Sequence, residues 1–130
     1  MNLFKAAVFD MDVTLWDVGG SMRGIWAQYY DEADGVIFCV DAADGARFGE
    51  AARALDAILA ATAGPVLVLA NKQDLPAAAP AAAVQAAVCA PAGLTPGGRR
   101  AVRIVEISAV RGGAVRDAIE WIVSRVERSG

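Results

Sequence analysis

The chain has 130 residues, enough for one domain and too few for two, and 56% of them are hydrophobic, which excludes a chain that stays disordered for want of a core. Its 12 basic and 15 acidic residues leave a net charge of −3, so no nucleic-acid partner is expected. The lack of histidine excludes imidazole triads and histidine-held zinc.

Cys39 and Cys89 lie far apart in apolar contexts without metal-ligand spacing and are expected as two buried, reduced thiols. The longest nearly apolar stretch, Ala57 to Ala70, is broken at Gly64-Pro65 and falls short of the roughly 18 residues a spanning helix needs. The start, Met1-Asn2-Leu3-Phe4-Lys5, has no signal-peptide pattern, and Asn2 in place of glycine removes the myristoylation signal. No membrane anchor is therefore expected in this chain.

In chain order, Phe4 to Phe9, a turn at Asp10-Met11-Asp12 and Val13 to Trp16 predict a β-hairpin that delivers Asp17-Val18-Gly19-Gly20. Val36 to Val40 and Val66 to Ala70 are short, continuous, β-rich runs, the pattern of strands covered on both faces of a parallel sheet. Between them, Phe48, Ala52, Leu55, Ile58 and Leu59 recur at helical spacing. The stretch from Pro76 to Pro91 is alanine-rich, and Pro80 is placed to start a short helix through Val88. A loop follows from 92 to 98, and the basic cluster Arg99, Arg100 and Arg103 is expected as a solvated edge. Val102 to Ile107 predicts a further strand with one wetter face. Val115, Ile119, Ile122 and Val126 predict a last helix, on which Trp121 packs and Asp117 and Glu120 precede Arg125 and Arg128. Strand and helix in strict alternation predict one α/β domain over 1–130 with right-handed crossovers.

The chemistry concentrates at Asn71-Lys72-Gln73-Asp74, directly after a buried strand, where α/β sheets bind their ligands. A carboxylate at Asp74 can accept from the N1–H and exocyclic amine of guanine. Adenine presents the opposite pattern, and the lost charge-assisted bonds would cost roughly 1.5–3 kcal/mol each. Asn71 can bridge the base edge to neighbouring loops, and the stem of Lys72 can lie along the base. The alternative is an ordinary polar loop stopped by Pro76. Ser108-Ala109, after the next strand, would offer the Ala109 N–H to the guanine O6. Asp17-Val18-Gly19-Gly20 matches the Asp-x-x-Gly element of nucleotide hydrolases, in which the acid holds magnesium, often through water, and a glycine N–H reaches the γ-phosphate. Three such elements, in order and each after a predicted strand, point together to a guanine-nucleotide fold.

The residues Val13 to Gly20 with Arg23, Trp26 and Tyr29 are similar to the interswitch and second-switch region of ADP-ribosylation factor (Arf) and Arf-like GTPases. Asp34 to Asp41, with Asp44 and Arg47, resembles that family's next strand and turn, and Leu69 to Pro76 its guanine-specificity loop. The resemblance covers nearly the whole chain. It implies a P-loop GTPase-like, mostly parallel sheet flanked by helices, with Asn71, Lys72, Gln73, Asp74, Ser108 and Ala109 around guanine, Gly20 at phosphate and Asp17 at magnesium. It also implies GTP and GDP as ligands, effector and exchange-factor proteins as partners, and a regulatory role in membrane traffic or cilia-type transport. Trp16, Trp26 and Tyr29 match an effector-gripping surface, with packing against the sheet as the alternative. A cytoplasmic protein is implied, peripheral at membranes through an amino-terminal segment that this chain does not contain.

Two departures qualify the resemblance. No Gly-x-x-x-x-Gly-Lys-[Ser/Thr] occurs, so the first strand, phosphate loop and first helix of the family are expected to be lacking. Ser21 stands where the family places a water-orienting glutamine, so no catalytic residue is assigned; Gln28 lies a helical turn away from that position. Three accounts follow: an Arf-like GTPase lacking its amino-terminal portion, a pseudo-GTPase interaction module without nucleotide chemistry, and a fragment unable to fold alone. Loss of the central strand is expected to leave two facing edges unpaired, that of the hairpin strand ending at Trp16 and that of Val36–Val40, to be filled by water, by re-pairing or by a strand from another chain, through self-association or a strand-donating partner. The isolated chain is therefore expected to be oligomeric, aggregating or only partly folded.

Overall fold

The computed structural model describes residues 6–10, 35–61, 64–95, 97–108 and 113–129. Four strands, β1 (Ala6–Asp10), β2 (Gly35–Asp41), β3 (Val66–Asn71) and β4 (Val102–Glu106), form one sheet in chain order, every neighbouring pair parallel. The helices are α1 (Phe48–Ala61), entered through a tight turn at Gly45–Arg47, α2 (Ala81–Val84), and α3 (Gly113–Ser129). Each lies between two strands or after the last, as alternation of the two hydrophobic periods requires.

The period-two alternation of β2 and β3 sorts their side chains onto two faces. Val36, Phe38 and Val40, with Val66, Val68 and Ala70, meet Ala51, Leu55 and Ile58 of α1 and Val84, Val88, Cys89 and Leu94 beyond β3. On the opposite face, Ile37, Leu67 and Leu69 meet Ile107 and, from α3, Ala118 and Ile122. Both strands are thus covered on both sides, which is why their sequences run apolar without interruption. Burying Leu55 completely contributes on the order of 1.5–3 kcal/mol, and its neighbours at helical spacing add to it. β4 behaves differently: Arg103 and Glu106 are exposed while Val102, Ile104 and Val105 are half-buried, the wetter face its alternation predicts. Trp121 is half-buried, with the Arg125 guanidinium 5.9 Å from its ring centroid.

Three local expectations are refined. Pro80 does precede a helix, its fixed φ of −70° feeding α2, and the Ala81 N–H donates to the Glu106 carboxylate at 2.7 Å. The helix then widens into a π turn, Gln85–Cys89, which puts the consecutive residues Val88 and Cys89 both inside. Burial pushes the Cys89 thiol up to about 11, so it stays protonated and inert at neutral pH, while Cys39 is only half-buried. The arginine cluster is not uniformly solvated. Arg99 and Arg103 are exposed, but Arg100 is half-buried and donates Nε to the Gly64 carbonyl at 2.7 Å and Nη1 to the Leu59 carbonyl at 3.1 Å. The last carbonyls of a helix lack partners within it, and a cation there also opposes the helix dipole; both draw Arg100 inward.

Of the outcomes expected for the edge of Val36–Val40, re-pairing within the chain is the one observed. That edge is paired by β1, in parallel, with Ala6 opposite Gly35 and Asp10 opposite Cys39. Unpaired backbone groups along a strand are costly, and a five-residue segment of the same chain satisfies them. The first strand predicted for the hairpin therefore exists, but its partner among the described residues is β2. The second, Val13 to Trp16, lies outside the described residues. Among the described residues no helix is long and apolar enough to cross a membrane.

Candidate functional site

The carboxyl ends of β2, β3 and β4 meet at one edge, and the segment 71–79 is stitched between them. Ala42 N–H donates to the Asn71 carbonyl at 3.1 Å and Ile107 N–H to the Ala70 carbonyl at 2.9 Å, which extends the ladders past the strand ends. Gln73 N–H donates to the Ile107 carbonyl at 3.0 Å, and Ala79 N–H to the Ala42 carbonyl at 2.8 Å. The loop is thereby held at both ends, by β4 on one side and β2 on the other.

Within that frame each candidate side chain has a definite place. Asn71 closes β3, and its Oδ1 accepts from the Lys72 N–H at 2.8 Å. Lys72 has φ 67°, the left-handed region, which costs a residue with a Cβ about 1–2 kcal/mol. Its Nζ donates to Asp41 Oδ2 at 2.8 Å, and its carbonyl accepts from the Leu75 N–H at 3.0 Å, closing a tight turn over residues 72–75. Gln73 turns its amide nitrogen back onto the Ala79 carbonyl at 2.9 Å and the Ala70 carbonyl at 3.4 Å, so this residue clamps the loop. Asp74 is exposed at the tip, and its Oδ1 accepts from the Ser108 hydroxyl at 2.9 Å. Ser108 is the one polar residue buried among the described residues, at 3% exposure, and it anchors Asp74 from below.

The structure thus brings Asn71, Lys72, Gln73, Asp74 and Ser108 to one edge. A carboxylate has about four lone-pair sites, so one bond from Ser108 orients the Asp74 carboxylate and leaves most of its capacity for a ligand. The free carboxylate acceptors suit a planar edge with two adjacent N–H groups. Ala109, Asp17, Gly20, Ser21, Gln28, Trp16, Trp26 and Tyr29 lie outside the described residues.

Asp41 was not singled out as a site residue from the sequence. Its burial raises the carboxyl pKa, but the bond from Lys72, the Ala43 N–H at 3.0 Å and the nearby charges of Lys72 and Arg47 together bring it below its ordinary value of 3.8. The signal available was an acid ending a continuous apolar strand, where a buried charge requires a partner.

The sequence model of the ADP-ribosylation factor family matches residues 2–126. ADP-ribosylation factor-like protein 3 of Saccharomyces cerevisiae is 36% identical over 119 residues, covering 88% of this chain and 59% of that protein. Human ADP-ribosylation factor-related protein 1 is 33% identical over 134 residues, covering 99% of this chain and 66% of its own length. The chain therefore spans about three-fifths to two-thirds of these curated relatives. Among solved structures, the small GTPase Arl6 (BBS3) of Trypanosoma brucei, with a bound nucleotide analogue GppNp, superposes with a TM-score of 0.71 at 26% identity, over 85% of this chain and 69% of that one. The small-GTPase fold, a parallel sheet flanked by helices, is common to both.

The Asp41–Lys72 pair gives a pH dependence of definite sign. Because the folded pKa of Asp41 lies below 3.8, its contribution to stability is present above 3.8 and is lost as pH falls through the depressed folded value. An NMR titration of the Asp41 carboxyl carbon is expected to show a midpoint under 3.8 that rises in Lys72→Met. The same midpoint in both proteins would show that the ammonium does not hold the carboxylate.

Proposed function

Because the chain belongs to the ADP-ribosylation factor family, we propose that its loop from Asn71 to Asp74 is the guanine site of an Arf-like switch that responds to GTP and GDP in intracellular transport of the vesicle or ciliary kind. The observation that carries this reading is the Asp74 carboxylate, exposed at the sheet edge and oriented by the buried Ser108 hydroxyl. In that reading Asp74 accepts both N–H groups of the guanine edge, and the stem of Lys72 lies along the base. Asn71, its oxygen engaged by Lys72 N–H, turns its amide nitrogen to the base edge or the neighbouring loop. Ala109 N–H is assigned to the guanine O6, Gly20 N–H to the γ-phosphate and Asp17 to magnesium through water. Gln73 acts by holding the loop. Trp16, Trp26 and Tyr29 are assigned to an effector surface, with exchange factors as the other class of partner. A cytoplasmic protein, peripheral at membranes, fits that role.

A second reading is favoured by two features of the sequence: no phosphate-loop motif occurs in the 130 residues, and Ser21 stands in place of the water-orienting glutamine. In phosphoryl transfer, positioning and electrostatic stabilisation supply nearly all of the rate, and these residues alone supply little of either. On that reading the chain as given is a protein-interaction module without hydrolysis.

Replacing Asp74 by asparagine exchanges one acceptor for an amide donor, which suits the C2 carbonyl of xanthine. In a chain carrying a restored phosphate loop, competition between guanine and xanthine nucleotides should shift towards xanthine by about tenfold or more in Asp74→Asn. An unchanged preference would remove Asp74 from the base site. The 130 residues by themselves are expected to release no phosphate from GTP above the enzyme-free rate. Release that Asp17→Ala abolishes would overturn the inactive reading.

A further inference from the structure

Asp41 ends β2 and is the register partner of Asn71 across the ladder to β3. Both of its carboxylate oxygens are committed, Oδ1 to the Ala43 N–H at 3.0 Å and Oδ2 to Lys72 Nζ at 2.8 Å, so the carboxylate is fixed to the strand that carries it. Lys72 is, among the described residues, the non-glycine residue with positive φ. A left-handed residue at that point reverses the chain sharply after β3. The reversal brings Gln73 N–H to the Ile107 carbonyl and Asp74 to the Ser108 hydroxyl, while Leu75 N–H closes the turn on the Lys72 carbonyl. A non-glycine side chain keeps such a backbone only where its surroundings over-determine it. Besides the Leu75 N–H on its carbonyl, Lys72 is restrained by the Asn71 side chain, which accepts from its N–H, and by Asp41, which holds the far end of its side chain. Arg47, the other cation near Asp41, is paired with Glu50 at 3.5 Å.

We propose that Asp41 is a positioning residue for base selection: by tethering the Lys72 ammonium it holds Lys72 in the left-handed conformation, which sets Asp74 against Ser108 in the orientation that receives a guanine edge. The proposal rests on the guanine-site reading for its consequence, but its structural half stands on the turn alone. Asp41 touches no ligand in this account. It selects a base from the neighbouring strand, through the geometry of Lys72 and the turn that follows.

The test uses the labelled full chain with Asp41→Asn, Lys72→Met and the double variant. NMR reads the sign of φ at Lys72 from its Cα shift and amide coupling, and the turn from the Asp74 and Ser108 amides. Titration with GDP and with ADP reads base preference. Asp41→Asn is expected to abolish the left-handed signature at Lys72, to shift Asp74 and Ser108, and to narrow the GDP-over-ADP preference about tenfold. The double variant should be no worse than the worse single, because both substitutions break the same pair. Should Asp41→Asn fail to fold, Lys72→Met interrogates the pair from its other end through Gln73, Asp74 and Ser108. Unchanged amides and φ in Asp41→Asn, or effects that add in the double variant, would overturn the proposal. A parent chain with no preference for GDP over ADP would instead remove the guanine-site reading, and the backbone signals would still judge the tether by themselves.

Discussion

Four backbone hydrogen bonds at the carboxyl edge of the sheet tie the segment after β3 to the strands beside it: Ala42 to Asn71, Ile107 to Ala70, Gln73 to Ile107 and Ala79 to Ala42. A loop between buried strands must find partners for its own amides, and these bonds provide them without help from a ligand. They also leave little freedom for Asp74. With Gln73 pinned to β4 and Ala79 to the turn after β2, the tip between them stays close to Ser108, and the side-chain bonds of Lys72 and Asp74 complete its placement. The edge is therefore ordered without a ligand, and an edge already ordered lowers the cost of any binding at it.

The cost of this preparation is local and identifiable. A left-handed Lys72 is unfavourable by about 1–2 kcal/mol. The bond from its N–H to Asn71 Oδ1 and the ion pair from its Nζ to Asp41 act against that cost. A net bond in a folded protein contributes about 0.5–1.5 kcal/mol, and an ion pair with a partly exposed lysine about 0–1 kcal/mol, so the two together are comparable to the cost of the turn. The same logic of satisfying backbone groups with whatever the chain offers recurs elsewhere. Arg100 reaches the carbonyls of Leu59 and Gly64, Glu106 takes the first N–H of α2, and β1 pairs with the edge of β2.

Much of this arrangement was legible in the sequence, for stateable reasons. The continuous apolar runs of β2 and β3 signalled coverage on both faces, and a polar tetrad directly after such a strand had to emerge at the ligand edge. Ser108 was legible by the same rule applied to β4. What the sequence did not disclose depended on contacts distant along the chain. Arg100 looked like one of three solvated arginines, because nothing local shows that the end of α1 lies beside it. Asp41 stood out as part of a family pattern and not as a partner for Lys72, 31 residues away. That Ala6–Asp10 pairs with β2 was not legible, because a strand's own pattern says that it pairs, not with which edge. The π turn at Gln85–Cys89 has no composition signal in an alanine-rich stretch.

The central claim is that this edge selects guanine through Asp74, and nucleosides test it with the phosphates removed from the problem. Amide spectra of the full chain recorded with guanosine, and again with adenosine at the same concentration, measure the base contact alone. The account predicts shifts at Asn71, Lys72, Asp74 and Ser108 with guanosine and none with adenosine. Equal responses to the two, or a guanosine response confined to other residues, would contradict it.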